Sequence, residues 1–116
     1  MAARSDFADY CAELLAPLGA ARTKRMFGGW GVYVDDVFIA IVVADTLYLK
    51  VDEQTRARFE AAGSRRFEYS RQGEQRGMGY WTVPVEAMDS AAGMQPWARL
   101  AVEAALRARD GQGKRK

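Results

Sequence analysis

Few residues in this sequence have side chains suited to chemistry. There is no histidine, and Cys11 is its one cysteine. Without histidine the chain lacks the commonest general base near neutral pH and the commonest metal ligand. One cysteine makes neither an internal disulfide nor, with no histidine, a Cys/His zinc site. The carboxylate pairs Asp35-Asp36 and Asp52-Glu53 suit turns and helix caps better than a convergent metal site. Cys11 falls on the apolar stripe of a helix, where a thiol with no cationic neighbour is inert packing. Thr23 and Lys24 are neighbours on an extended segment, so their side chains point to opposite faces and form no hydroxyl–amine dyad. The expectation is a protein that is not an enzyme and that holds no metal or cofactor.

Two other patterns have chemical meaning. In Gly28-Gly29-Trp30-Gly31 the glycines lie between strands and open no helix, so neither a dinucleotide fingerprint nor a P-loop is present. A bulge or tight bend in a sheet is the better reading. Basic and aromatic residues also interleave. Arg22, Lys24 and Arg25 precede Phe27 and Trp30, and Arg65, Arg66, Arg71 and Arg76 flank Phe67, Tyr69, Tyr80 and Trp81. Such residues anchor protein interfaces or stack bases and grip phosphates; they also make an ordinary core with solvated charges at strand ends. The candidate partner-binding residues are Arg25, Phe27, Trp30, Tyr80 and Trp81. The candidate nucleic-acid contacts are Lys24, Arg65, Arg66, Lys114, Arg115 and Lys116. Tyr80 and Trp81 are adjacent on a strand and face opposite sides of the sheet, so at least one is expected at a surface or interface.

The elements that would position these residues follow from periodicity. Phe7, Tyr10, Cys11, Leu14, Leu15 and Leu18 recur at helical spacing, with Ser5 as N-cap and Gly19 as C-terminal stop. Residues 23–51 read as a three-stranded meander. Thr23–Phe27 lead in, Trp30–Val34 form a strand, and Asp35-Asp36 turn. Val37–Val43 is a central strand buried on both faces. Leu47, Leu49 and Val51 then alternate with Tyr48 and Lys50 as a half-buried strand does. Asp52 caps a helix over 53–62 that Gly63 stops and that lies at the domain's edge. A hairpin follows, with Arg71–Gln75 as its loop. A last helix runs from Pro96 to Arg109, with Trp97, Leu100, Ala101, Ala104 and Ala108 on one face. The order α-β-β-β-α-β-β-α is an α+β fold, an antiparallel sheet packed by helices.

Composition agrees with one domain. The 116 residues are 49% hydrophobic and 28% charged, ordinary for a globular chain. No apolar run approaches the ~20 residues of a membrane span, and no signal peptide is evident at the N-terminus; the expected location is the cytoplasm. Net charge is +2. Lys114, Arg115 and Lys116 supply three of the 17 basic residues, leaving 14 against 15 acidic, so the body is not the strongly basic kind that grips nucleic acid by net charge. The expected division is one domain over 1–110 and a disordered basic tail over 111–116.

As a set, these residues resemble a known family. Arg25-Met26-Phe27-Gly28-Gly29-Trp30-Gly31-Val32-Tyr33 is similar to the signature of the TfoX (Sxy) N-terminal domain family. Leu47-Tyr48-Leu49-Lys50-Val51 resembles its third strand, and Met78-Gly79-Tyr80-Trp81 with Val83-Pro84 its late hairpin arm. Pro96-Trp97-Ala98 with Ala101 resembles the start of its last helix. The likeness spans most of residues 6–109. It implies a fold similar to the secretion-chaperone architecture and a bacterial regulatory setting. The family's namesake promotes transcription of natural-competence genes with a cyclic-AMP-responsive activator. Two-domain members add a C-terminal helical domain, whereas this chain ends at residue 116, which implies a stand-alone N-terminal domain. The family brings no catalytic residues to carry over.

The leading expectation is therefore a non-catalytic regulatory domain acting by protein binding in bacterial transcription, its partner a regulator or the transcription machinery. Alternatives are direct nucleic-acid binding through the basic and aromatic patches and the tail, or an unrecognised small-ligand protein. A homodimer is a further expectation, since two-fold dimers are the commonest assembly. No membrane partner is expected.

Overall fold

Three tight turns organise the first half of the chain. Asp35 and Asp36, then Ala44 and Asp45, all have positive φ, between 50° and 66°, the left-handed pair that a two-residue hairpin turn of the primed type requires. Residue 27 and Gly28 join the first hairpin, with Gly28 at φ 79°. The strands so joined are β1 (Ala21–Met26), β2 (Gly29–Val34), β3 (Val37–Val43) and β4 (Thr46–Lys50). After a short helix come β5 (Arg66–Arg71) and β6 (Glu74–Thr82). The computed structural model describes residues 6–26, 28–71 and 74–114; for Met26, 69–71, 74–78 and 111–114 it describes the backbone. The expected Ser5 cap lies outside the described residues.

All six strands form one antiparallel sheet in the order β1-β2-β3-β4-β6-β5. The fold is α+β, in the expected succession with one addition. The segment before the glycines is a full strand, β1, that pairs along its length with β2. The β5–β6 loop is also tighter than expected, since Arg71 pairs with Glu74. Gly29 belongs to a close approach of backbones. A Cβ built there would sit 2.4 Å from the Val42 carbonyl oxygen, so the glycine cluster is the bend that sequence reasoning placed there. The sheet's register shifts lie elsewhere, one at Ile39, which is the extra residue between the Val32–Ala40 and Tyr33–Phe38 pairs, and one in β6 between the Arg66–Trp81 and Glu68–Gly77 pairs.

The helices α1 (Asp6–Leu15) and α3 (Ala91–Lys114) pack against the sheet and each other, α1 on β1 and β2, α3 on β3 and β4. Cys11, Leu14 and Leu15 of α1 are buried, as the stripe predicts. Tyr10 is more exposed, and its hydroxyl donates to the Met88 carbonyl. The last helix begins five residues before Pro96, with the Gly93 amide donating to Ser90 Oγ at 3.0 Å, a serine cap. Pro96 sits inside it, where its missing N–H forgoes one hydrogen bond, to the carbonyl four residues back. Its buried face is Met94, Ala98, Ala101, Ala104 and Ala105, whereas Ala108 is exposed. The helical backbone continues past residue 110 to Lys114; Arg115 and Lys116 lie outside the described residues.

The middle helix, α2, is Arg56–Ala61, shorter than the 53–62 expected. Its Phe59 is fully buried, edge-on to Trp97 at 5.0 Å. Asp52 caps the turn that leads into it, with Oδ1 accepting from the amides of Gln54 at 3.0 Å and Thr55 at 3.2 Å. Arg107 of α3 grips the same carboxylate, Nε on Oδ2 at 2.7 Å and a second guanidinium nitrogen on Oδ1 at 3.0 Å. That fork ties the β4–α2 turn to α3 and holds the Asp52 carboxyl below its ordinary pKa, chiefly through the Arg107 hydrogen bond.

Candidate functional site

Directly paired residues of an antiparallel sheet share a face, so the register sorts every strand residue. Toward the helices point Val32 and Val34 of β2, Ala40 and Val42 of β3, and Leu47 and Leu49 of β4, all buried. Trp30 pairs with Val42 and Trp81 with Leu49, so both tryptophans lie on this covered side, half-buried against the core. On the other side the register places Tyr33, Phe38, Ile41, Tyr48, Lys50, Tyr80 and Thr82. No helix packs across this second side among the described residues. The central strand is therefore covered on one face only, a correction to the expectation that β3 is buried on both: Phe38, Ile41 and Val43 are half-exposed.

The open face is a sheet of touching rings. Tyr33 and Phe38 lie 5.1 Å apart between centroids, and Phe38 and Tyr80 lie 6.1 Å apart. Tyr48 meets Phe67 of β5 edge-on at 4.9 Å. Cations border the rings. The Arg22 guanidinium sits over Tyr33 at 4.6 Å, and Lys50 Nζ over Tyr80 at 5.2 Å. Such contacts are electrostatic attractions between the cation and the negative ring face. Tyr80 is only 8% exposed, and its burial raises the phenol pKa, with nearby Tyr33 adding to the shift; it is the floor of the face, not its surface.

The sequence candidates divide between these two sides. Arg25 stacks over Trp30 at 5.9 Å on the covered side, with Trp81 further along it. Tyr80 belongs to the open side, so the adjacent pair does face opposite ways, with Tyr80 buried and Trp81 half-buried. Phe27 lies outside the described residues. Lys24 is exposed on β1 at one edge of the sheet, and Arg65 and Arg66 are exposed at the other. Five strand spacings of about 4.8 Å put those edges roughly 24 Å apart. Arg66 faces the helix side and pairs with Glu68 at 3.2 Å. Arg65 is hydrogen-bonded through its backbone to Thr82, which places it with Thr82 on the open side. The Lys114 side chain, Arg115 and Lys116 lie outside what the structure describes.

Sequence reasoning missed Tyr33, Phe38, Tyr48 and Lys50 as a group. A partial signal was there, in the alternation of Tyr48 and Lys50 with Leu47 and Leu49. Nothing local joins those residues to Tyr33 or Tyr80; only the strand order does.

Little else offers chemistry. Burial pushes the Cys11 thiol up to about 12, which leaves it protonated and unreactive at neutral pH. Among the described residues no group of three His, Cys, Asp or Glu is placed to hold a metal, and no helix is long and apolar enough to cross a membrane. A shallow cleft of about 370 Å³ lies between the β4–α2 turn and α3. Of its four charged side chains, Lys50, Asp52, Glu53 and Arg107, Asp52 and Arg107 are bound to each other.

No curated protein matches the chain. Residues 13–105 match the model of one family, the TfoX N-terminal domain. That span takes in both faces of the sheet, α2 and most of α3, and the chain belongs to the TfoX N-terminal domain family.

Proposed function

We propose that this domain is non-catalytic and takes part in bacterial transcription regulation by binding a macromolecule on the open face of its sheet. The observation that carries this reading is the uncovered side itself. Rings from five strands touch one another there, and the packing that buries the opposite side is absent among the described residues. Large aromatic side chains beside cations are the groups that dominate interface energies. The regulatory setting rests on family membership, and a protein partner, a regulator or the transcription machinery, is the reading that membership favours. The charge of the face favours a nucleic-acid partner instead. The lack of histidine and the protonated, buried Cys11 support a role without catalysis.

The test is genetic. In cells that carry the gene, transcripts are compared among wild type, a deletion strain and a strain with Phe38→Ser and Tyr48→Ser. The expected result is that the double variant, present at wild-type level, reproduces the deletion's transcript changes. A deletion that changes no transcripts would sink the regulatory reading. A double variant that behaves as wild type would move the binding surface elsewhere.

A further inference from the structure

We infer that the open face is a stacking platform for a single-stranded nucleic acid. This rests on the proposed function in one respect, that the open face is the binding surface, and it names the class of partner.

Charge is distributed unevenly over the two sides. On the open side the strands present Arg22 and Lys24 from β1 and Lys50 from β4, with Arg65 just before β5. On that side no strand residue whose side chain is described carries a carboxylate; Glu74, at the far end of β6 opposite Arg71, is described in its backbone alone. The one strand acid whose side chain is described, Glu68, lies on the helix side, paired with Arg66. The remaining described acids sit on helices or in turns; Asp36, beside the open face, is held by Arg22 at 3.2 Å. A chain body that is close to neutral overall thus turns a basic, ring-lined side outward. Lys24 and Arg65 are exposed and make no ion pair among the described residues.

That charge selects among occupants. A second copy docked face to face would set Lys24, Lys50 and Arg65, which make no ion pair among the described residues, against their own counterparts, and like charges so placed disfavour that pairing. A duplex keeps its bases stacked, with only their edges exposed in the grooves, and so offers no base face to the rings of this side. A single strand offers what the face is built to take: phosphates for Lys24, Lys50 and Arg65, and unstacked bases for half-exposed Tyr33, Phe38, Tyr48 and Phe67. The sheet is roughly 24 Å across, and a stacked 12-mer spans roughly 40 Å, so a 12-mer is long enough to cross it.

The experiment is fluorescence anisotropy on the full chain with a labelled 12-mer of single-stranded poly-dT and a labelled 12-base-pair duplex, from 50 to 200 mM salt. Four chains are compared: wild type, Lys24→Glu with Lys50→Glu, Tyr48→Ser, and Arg99→Glu with Arg109→Glu as an equal charge change on α3. A fifth carries Lys114→Glu, Arg115→Glu and Lys116→Glu. Thermal melts confirm that each folds. Expected is tighter binding of the single strand than of the duplex, with log K falling against log salt at a slope of about −2 for three phosphate contacts. The Lys24/Lys50 variant flattens that slope by about 1.4, and Tyr48→Ser weakens binding roughly tenfold without changing it. The α3 variant keeps most of the affinity and the tail variant keeps the single-strand preference. The inference is overturned by equal or tighter duplex binding, by undetectable single-strand binding at 50 mM salt, or by binding that only the tail variant loses. If it is overturned while the Phe38/Tyr48 strain still reproduces the deletion's transcripts, the open face binds a protein and the proposed function stands.

Discussion

The two sides of this sheet have the same strands, nearly the same content of large side chains, and different fates. On the covered side, Val32, Leu47 and Leu49 meet alanines and Met94 from α3 and leucines from α1, and are sealed from water. On the other, Tyr33, Phe38, Tyr48 and Phe67 meet mostly one another and stay half-exposed. Aliphatic residues, with Trp30 and Trp81 packed against them, fill the first; tyrosines and phenylalanines bordered by Arg22 and Lys50 dominate the second. Tyrosine suits such a position because its hydroxyl is content in water while its ring body packs on a neighbour. The difference separates stability from recognition: removing a side chain from the covered side should unfold the protein, and removing one from the open side should change what it binds.

The largest effect is expected at Phe59, which has no exposed surface and packs edge-on to Trp97. Phe59→Ala should cost about 3–5 kcal/mol in urea unfolding, and a cost under about 1 kcal/mol would remove α2 from the core. Gly29→Ala should cost about 1–3 kcal/mol, because its Cβ would meet the Val42 carbonyl oxygen, which belongs to the backbone of β3 and has no side-chain freedom to yield. A neutral result would mean that β2 and β3 are further apart than described. Asp52→Ala should cost about 1–2 kcal/mol through the lost cap.

The Asp52 contribution should also depend on pH in a definite direction. Its carboxyl pKa is lower folded than the ordinary 3.8, mainly because Arg107 hydrogen-bonds the charged form. The added stability is therefore complete above about pH 4 and is lost as pH falls through the lowered folded value. Asp52→Asn should flatten that part of the acid unfolding curve; an unchanged curve would show that the fork with Arg107 does not persist in solution. Smallest of all, Tyr48→Ser on the open side should cost under about 1 kcal/mol. A cost as large as that of Phe59→Ala would erase the contrast between the two sides.

Much of the fold was legible along the chain. The stripe of α1, the turn at Asp35-Asp36 and the alternation through β4 each depend on neighbours a few residues away. β1 was read as a lead-in because Arg22, Lys24 and Arg25 break any apolar alternation. An edge strand is paired on one side only and tolerates such charges. The apolar spacing that marks α3 along the sequence runs from Trp97 to Ala108 and so starts the helix at Pro96. Ser90 caps the helix earlier, through Ala91, Ala92 and Gly93, which carry little apolar pattern. Phe59 looked peripheral because α2 has no other large apolar side chain. Trp97, 38 positions away, buries it.

Local order along this chain was therefore the sequence's own determination: periodicity of two or 3.6, a positive-φ pair at the β2–β3 and β3–β4 turns and an Asp before α2 are all interactions among near neighbours. The absence of histidine and the isolation of Cys11 were settled there as well. Which rings would stand together was left to the tertiary structure. Tyr33, Phe38, Tyr48, Phe67 and Tyr80 come from five strands, and β6 inserts between β4 and β5. Contacts across such a sheet depend on strand order and register, and one residue's slip would turn every ring on a strand to the other side.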